Sequence, residues 1–355
     1  MSRRVHLHIG APKTGTTAIQ TRLQRNAANL ARHGVLVPRG TGARPAGLAF
    51  RASLELMGMV MGQDPALIEG SWDELVGQVH GHDGPVVISH EGFVRCDEDA
   101  VARVVEALGH EAELHVIYSA RALGRQLVSG WLEGLKNGGT TDLATHFDRA
   151  RTGELWLQAS FDVPAVLGRW LTHLPAERVH LVTVAPPGGD RSALWRRFGS
   201  LTGIDDSWVP TQPSRINESF GIPEAQVLLA LNRLLDGSNR RGGPHQRVVR
   251  RTVVGQGLAG RDSPRPGVPP SETEWLDAEI ERWIAWVLAS GVDVVGDLAE
   301  LRSDPVPVAD WVDPDVPHPA TTEAALAALT ALVVEAEHRG SPVGPGADPG
   351  VGRGG

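Results

Sequence analysis

Three groups of residues in this chain have the types and spacing to do chemistry. The first is the run Gly10, Ala11, Pro12, Lys13, Thr14, Gly15, Thr16, Thr17. Its two glycines let the backbone turn tightly and approach an oxyanion, and Lys13 adds a full positive charge. A helix starting at Thr16 would aim its first amides and the positive end of its dipole at the same place. The second group is Ser89, His90 and Glu91, in which either His90 or Glu91 has the chemistry of a general base. The third is Arg121 with Ser129 eight residues later, a planar charged fork suited to phosphate and a hydroxyl to assist it.

The elements that must position these groups can be read from periodicity. Residues 5–9 alternate apolar side chains with histidine as a short strand does, and Ile19, Leu23, Ala27 and Leu30 then recur at helical spacing. The first group is therefore the loop between a strand and a helix. Val86, Val87 and Ile88 form the continuous apolar run of a strand covered on both faces. Ser89, His90 and Glu91 follow at its C-terminal end, where open parallel sheets present their binding residues. Residues 113–119 repeat the pattern and deliver Arg121. Leu123, Leu127, Trp131 and Leu135 make the buried stripe of the next helix, with Ser129 on roughly the opposite face. Further strands are expected at 34–38 and 178–184, and helices at 48–61, 72–79, 97–108, 163–174, 192–201 and 275–289. Residues 305–319, rich in proline and aspartate, read as a linker, 322–337 as an alanine-rich helix, and 340–355 as a tail disordered by composition.

Composition narrows the function classes. The 355 residues can bury a sizeable core, and 41% hydrophobic and 21% charged residues are ordinary for a globular protein. A formal net charge of −8 argues against a nucleic-acid binder while allowing a local basic pocket. Cys96 is the single cysteine, so a reducing, cytoplasmic setting is expected, with Cys96 as a packing residue. The opening MSRR runs straight into a strand without the apolar segment of an export signal. No apolar run reaches the roughly 18 residues of a bilayer span, so no stable membrane insertion is expected.

In an ATP-type phosphate loop the lysine follows the second glycine; here it precedes Gly15, which argues against an ordinary NTPase. The run PKTGTT instead resembles the loop that holds the 5′-phosphosulfate of 3′-phosphoadenosine 5′-phosphosulfate (PAPS) in the sulfotransferase family. A strand ending in Arg121, with Ser129 eight residues on, is similar to the pair that holds the cofactor's 3′-phosphate in that family. The Ser-x-Glu ending of the second strand is similar to bacterial members, and heparan sulfate sulfotransferases use a glutamate as base, which favours Glu91 over His90. Residues 215–233, RINESFGIPEAQVLLALNR, look like a segment common in bacterial members. The Arg-Lys-Gly run that grips the 3′-phosphate in cytosolic members is not found; Arg250 with Arg251, or Arg240 with Arg241, are candidate substitutes.

The resemblance covers residues 3–300 and implies an α/β fold of P-loop NTPase-like type: a parallel sheet flanked by helices, with additional C-terminal helices. It implies a domain at 1–302, then a linker at 303–320, a helix at 321–339 and a tail at 340–355. Pro12, Lys13, Thr14, Gly15, Thr16 and Thr17 would bind the 5′ end of PAPS, and Arg121 and Ser129 the 3′-phosphate. Lys13 would meet the departing oxygen, with Glu91 or His90 as base. A sulfuryl group would pass to a hydroxyl or amine of a carbohydrate or small metabolite, leaving 3′,5′-ADP, and no metal set is expected. A P-loop kinase or NTPase and a noncatalytic adenine-nucleotide binder are the alternative readings.

Overall fold

The structure, a computed structural model, describes residues 3–41, 47–155, 158–190, 192–210, 220–235, 246–303 and 308–340. Arg240, Arg241, residues 215–219 of the RINESFG segment and the expected tail at 341–355 lie outside the described residues. The chain divides into two compact units. The first comprises Met1–Glu133, Thr141–Asn217 and Pro266–Asp313, and the second Gly134–Thr140, Glu218–Arg265 and Pro314–Gly355.

In chain order the elements are β1 (Arg3–Gly10), α1 (Thr16–Arg25), α2 (Ala27–Arg32), α3 (Leu48–Leu56), α4 (Pro65–Ile68), α5 (Ser71–His80) and β2 (Val86–Ser89). Then come α6 (Glu98–Gly109), β3 (Ala112–Ala120), α7 (Leu123–Lys136), α8 (Leu143–Arg151), α9 (Val163–Leu171), β4 (Val179–Thr183) and α10 (Ala193–Thr202). They end with α11 (Ile222–Leu234), α12 (Thr273–Ser290), β5 (Asp293–Val295) and α13 (Thr321–Gly340). The five strands form one wholly parallel sheet in the order β2-β1-β3-β4-β5, so the expected α/β architecture is present.

Two strands differ from expectation. Residues 34–38 contribute only a single bridge, Leu36 to Val86, because Pro38 has no N–H with which to continue a ladder. Conversely, Asp293–Val295 does form a strand despite its brevity, because it pairs along β4 from His180 to Val182.

Burial on both faces explains the strong apolar content of the strands. On one face Val87, Ile117 and Val182 pack with Ile19 and Leu23 of α1 and with Trp195 and Phe198 of α10. On the other, α6 and α9 lie against β3, and α9 also against β4. Asp97 caps α6 by accepting from the Ala100 N–H at 2.9 Å, which fixes where the chain turns after Cys96. Cys96 is buried, and burial pushes its thiol up to about 12. In the second unit, buried Glu224 accepts hydrogen bonds from the Gly221 N–H, Arg261 and Ser263 at 2.9, 2.9 and 2.8 Å, which fixes the start of α11. Among the described residues no helix is long and apolar enough to cross a membrane.

A polar ladder crosses the sheet within its first face. His6 stacks on His115 at 5.3 Å, His115 Nδ1 meets His180 Nε2 at 2.9 Å, and His180 Nδ1 meets Asp293 Oδ2 at 2.7 Å. Burial, then the charges His115 and His180 would carry, lowers His6 from 6.5 to about 3; burial, then the charge of His180, lowers His115 to about 4.

His6 and His115 are neutral in the folded chain and take up protons on unfolding below about pH 6.5, so stability falls as pH falls from there toward 4. Each group adds a limiting slope of about 1.4 kcal/mol per pH unit. Urea midpoints between pH 7 and 4 should show this, and His6→Leu should flatten the dependence; an unchanged slope in that variant would refute the assignment.

Candidate functional site

The loop after β1 is shaped by its backbone. Gly10 and Gly15 have φ of +89° and +94°, and Lys13, between them, has φ +69°. Only glycine fits at position 10, since a Cβ there would lie 2.9 Å from Cβ of Glu91. Gly15 precedes α1, whose N-terminus receives no side-chain cap and carries no acidic residue in its first turn. The first amides of α1 therefore have no side-chain partner from the helix's own cap.

A buried chain of hydrogen bonds holds the loop from below. Thr14 Oγ1 donates to the Ala11 carbonyl at 2.6 Å, which commits its proton. Ser119 Oγ, 2.7 Å away, must therefore donate to Thr14 and accept from His8 Nε2 at 3.3 Å. His8 Nδ1 is then left to accept from Ser89 Oγ at 2.7 Å. Each proton points one way, from β2 through β1 and β3 to the loop. Burial lowers His8 to about 4, so the neutral imidazole the chain requires is the stable form. Thr14, within the PKTGTT run, is buried and faces inward as a brace.

Glu91 stands beside the loop at the end of β2. Gln20 of α1 donates to its Oε2 at 2.5 Å, and Thr16 at the start of α1 lies near enough to favour its charged form. Burial alone would raise Glu91, but His90, Gln20 and Thr16 together hold it below the usual carboxylate range. It is therefore ionised at neutral pH and able to accept a proton. His90 is committed otherwise: its Nδ1 accepts from the Gly92 N–H at 2.9 Å, Phe50 lies 4.9 Å from its ring, and burial lowers its pKa.

Arg121 leaves the end of β3. Its Nη2 donates to the Arg125 carbonyl at 2.9 Å, while its buried Nε has no hydrogen-bond partner among the described residues. Burial, then repulsion from the Arg125 guanidinium, lowers Arg121 to about 10. Arg125, Ser129 and Glu133 follow at four-residue intervals on one half-buried face of α7. Lys13 Nζ meets Glu133 Oε2 at 2.9 Å, and Gln126 Nε2 donates to the Pro12 carbonyl at 2.9 Å.

These groups sit in the first unit, where the strand order reverses between β1 and β3. Chains leaving the C-terminal ends of such strands flank a crevice that is the usual ligand site of open α/β sheets. The structure brings together Lys13, Gly15, Thr16, Glu91 and the Arg121–Ser129 helix face; Thr17 is exposed on the first turn of α1. Arg250, named as a candidate substitute, donates to Asn137 Oδ1 at 2.9 Å within the second unit. Sequence reasoning missed His8, Gln20, Ser119, Arg125, Gln126 and Glu133. The four-residue spacing of Arg125, Ser129 and Glu133 was the available signal for two of them. Comparison of the chain with protein-family models, curated proteins and solved structures finds no match.

Ser119→Ala removes the middle of the chain and leaves His8 and Thr14 each short of a partner. The expected loss is about 1–3 kcal/mol of stability in denaturant unfolding. A change below about 0.5 kcal/mol would show that the chain does not hold the loop.

Proposed function

We propose that the chain is a PAPS-dependent sulfotransferase of P-loop-like fold. One observation carries the proposal: the buried Nε of Arg121, without a hydrogen-bond partner among the described residues, set against a second arginine and eight residues before Ser129, at the same sheet edge as the uncapped start of α1. A guanidinium with a buried donor and a like-charged neighbour is costly unless an anion completes it. Two separate cationic poles on one crevice suit a ligand with anionic groups at two ends better than one with a single phosphate chain.

The residues present fit such a ligand. Arg121 and Ser129 hold the 3′-phosphate, while Lys13, Gly15 and the first amides of α1, with Thr16 and Thr17, receive the 5′ end. Bound PAPS would supply the sulfuryl group, whose sulfur gains a bond to the acceptor as its bond to the phosphate oxygen breaks. Lys13 offsets the negative charge that collects on the departing side. Glu91, ionised and beside the loop, takes the proton of the acceptor hydroxyl or amine. His90, with its Nδ1 occupied by the Gly92 N–H, serves as a cap. The acceptor is a carbohydrate or small metabolite in this reading.

Calorimetric titration should find 3′,5′-ADP bound about 10-fold or more tightly than 5′-AMP, from charge-assisted bonds of about 1.5–3 kcal/mol. Arg121→Ala should abolish that preference, and Lys13→Ala should abolish transfer from PAPS while the circular dichroism spectrum stays unchanged. Preference for ATP with Mg²⁺ would overturn the proposal in favour of a kinase or NTPase. Binding of 3′,5′-ADP without transfer, and without effect of Glu91→Gln, would leave a nucleotide-binding protein.

A further inference from the structure

Lys13 carries the one full charge in the glycine loop, yet its Nζ is already engaged by Glu133 at 2.9 Å. The two side chains are 31% and 26% exposed, so the pair is reachable by solvent and weak enough to exchange. Glu133 is the sole acidic residue of α7 and lies on the face that carries Arg125 and Ser129. A carboxylate at the end of that row repels any anion that the rest of the row attracts.

The loop reinforces the pairing. Lys13 is held left-handed at φ +69°, an uncommon state for a residue with a Cβ, and the Pro12 carbonyl beside it is tied to Gln126 of α7. Loop and helix are therefore locked in register, and Lys13 can change partner by side-chain rotation without moving the backbone.

We propose that Glu133 is an internal competitor for Lys13: it occupies the ammonium in the empty site and yields it to the anionic group that the ligand places over the loop. The role rests on the functional reading above only for the identity of that ligand. A neutral or cationic molecule gains nothing from Lys13, because it cannot displace the carboxylate. Ligand charge at this one position thus becomes a condition for unmasking the lysine.

The test is a double-mutant cycle read by calorimetry with two probes, 3′,5′-ADP and inorganic pyrophosphate. Glu133→Gln should tighten binding of the probe about 3- to 10-fold, Glu133→Asp should stay near wild type, and the effect of Glu133→Gln should be markedly smaller in a Lys13→Met background, where only the loss of repulsion remains. In parallel, acylation of Lys13 by acetic anhydride, followed by mass spectrometry, should be faster in Glu133→Gln than in wild type without any ligand. Weaker or unchanged anion binding in Glu133→Gln, or an effect of equal size in the Lys13→Met background, overturns the proposal. If 3′,5′-ADP binds to no form, the sulfotransferase reading fails, while pyrophosphate and the acylation rate still decide the role of Glu133.

Discussion

Because β1 pairs with β3 in parallel, from Arg3 opposite Ala112 to Gly10 opposite Tyr118, the chain must leave both strands at the same edge of the sheet. Each connection then turns to its own side, since β2 lies beyond β1 and β4 beyond β3. The glycine loop and the start of α7 are brought face to face by this constraint and by nothing in their own sequences. Glu91 joins them because β2 pairs with β1 in the same sense, with Ser89 opposite His8. The loop is then fixed from below by Ser119 and from the side by Gln126, two contacts that exist only once the strands are in register.

Charge in the crevice runs against the sign of the whole chain. A net charge of −8 is spread over the surface, and screening confines its influence to about 8 Å at physiological salt. Inside the crevice the balance is set instead by burial: Arg121 loses water and gains no carboxylate among the described residues, and the amides of α1 lack a side-chain cap. Of the anions described there, Glu91 is engaged by Gln20 and Glu133 by Lys13.

Much of the fold was legible because its strands are apolar on both faces and its helices carry clear stripes. Val86 to Ile88 and the run ending at Ser119 read as buried strands from their continuous apolar content, and the residues just past them became candidates by position alone. The short strand at Asp293–Val295 was not legible, since its pairing depends on β4 rather than on its own composition. Thr14 read as a loop residue open to a ligand, yet its hydroxyl bonds inward to Ala11 and Ser119; the direction of a hydroxyl is decided by its neighbours in space. Likewise His8 read as an alternating strand residue, and only the hydroxyls supplied by β2 and β3 turn it into a link.

The histidine ladder has a meaning for assembly of the sheet. Parallel strands of similar apolar content can pair in more than one alignment, and a slip of one residue turns every side chain to the opposite face. His6, His115, His180 and Asp293 lie on four successive strands, and their contacts close only in one alignment. A slipped β4 would strand His180 among aliphatic side chains with neither partner. The ladder thus works as a vernier for the sheet, reading each strand's offset against the next, and makes misaligned packings of equally greasy strands unequal in energy.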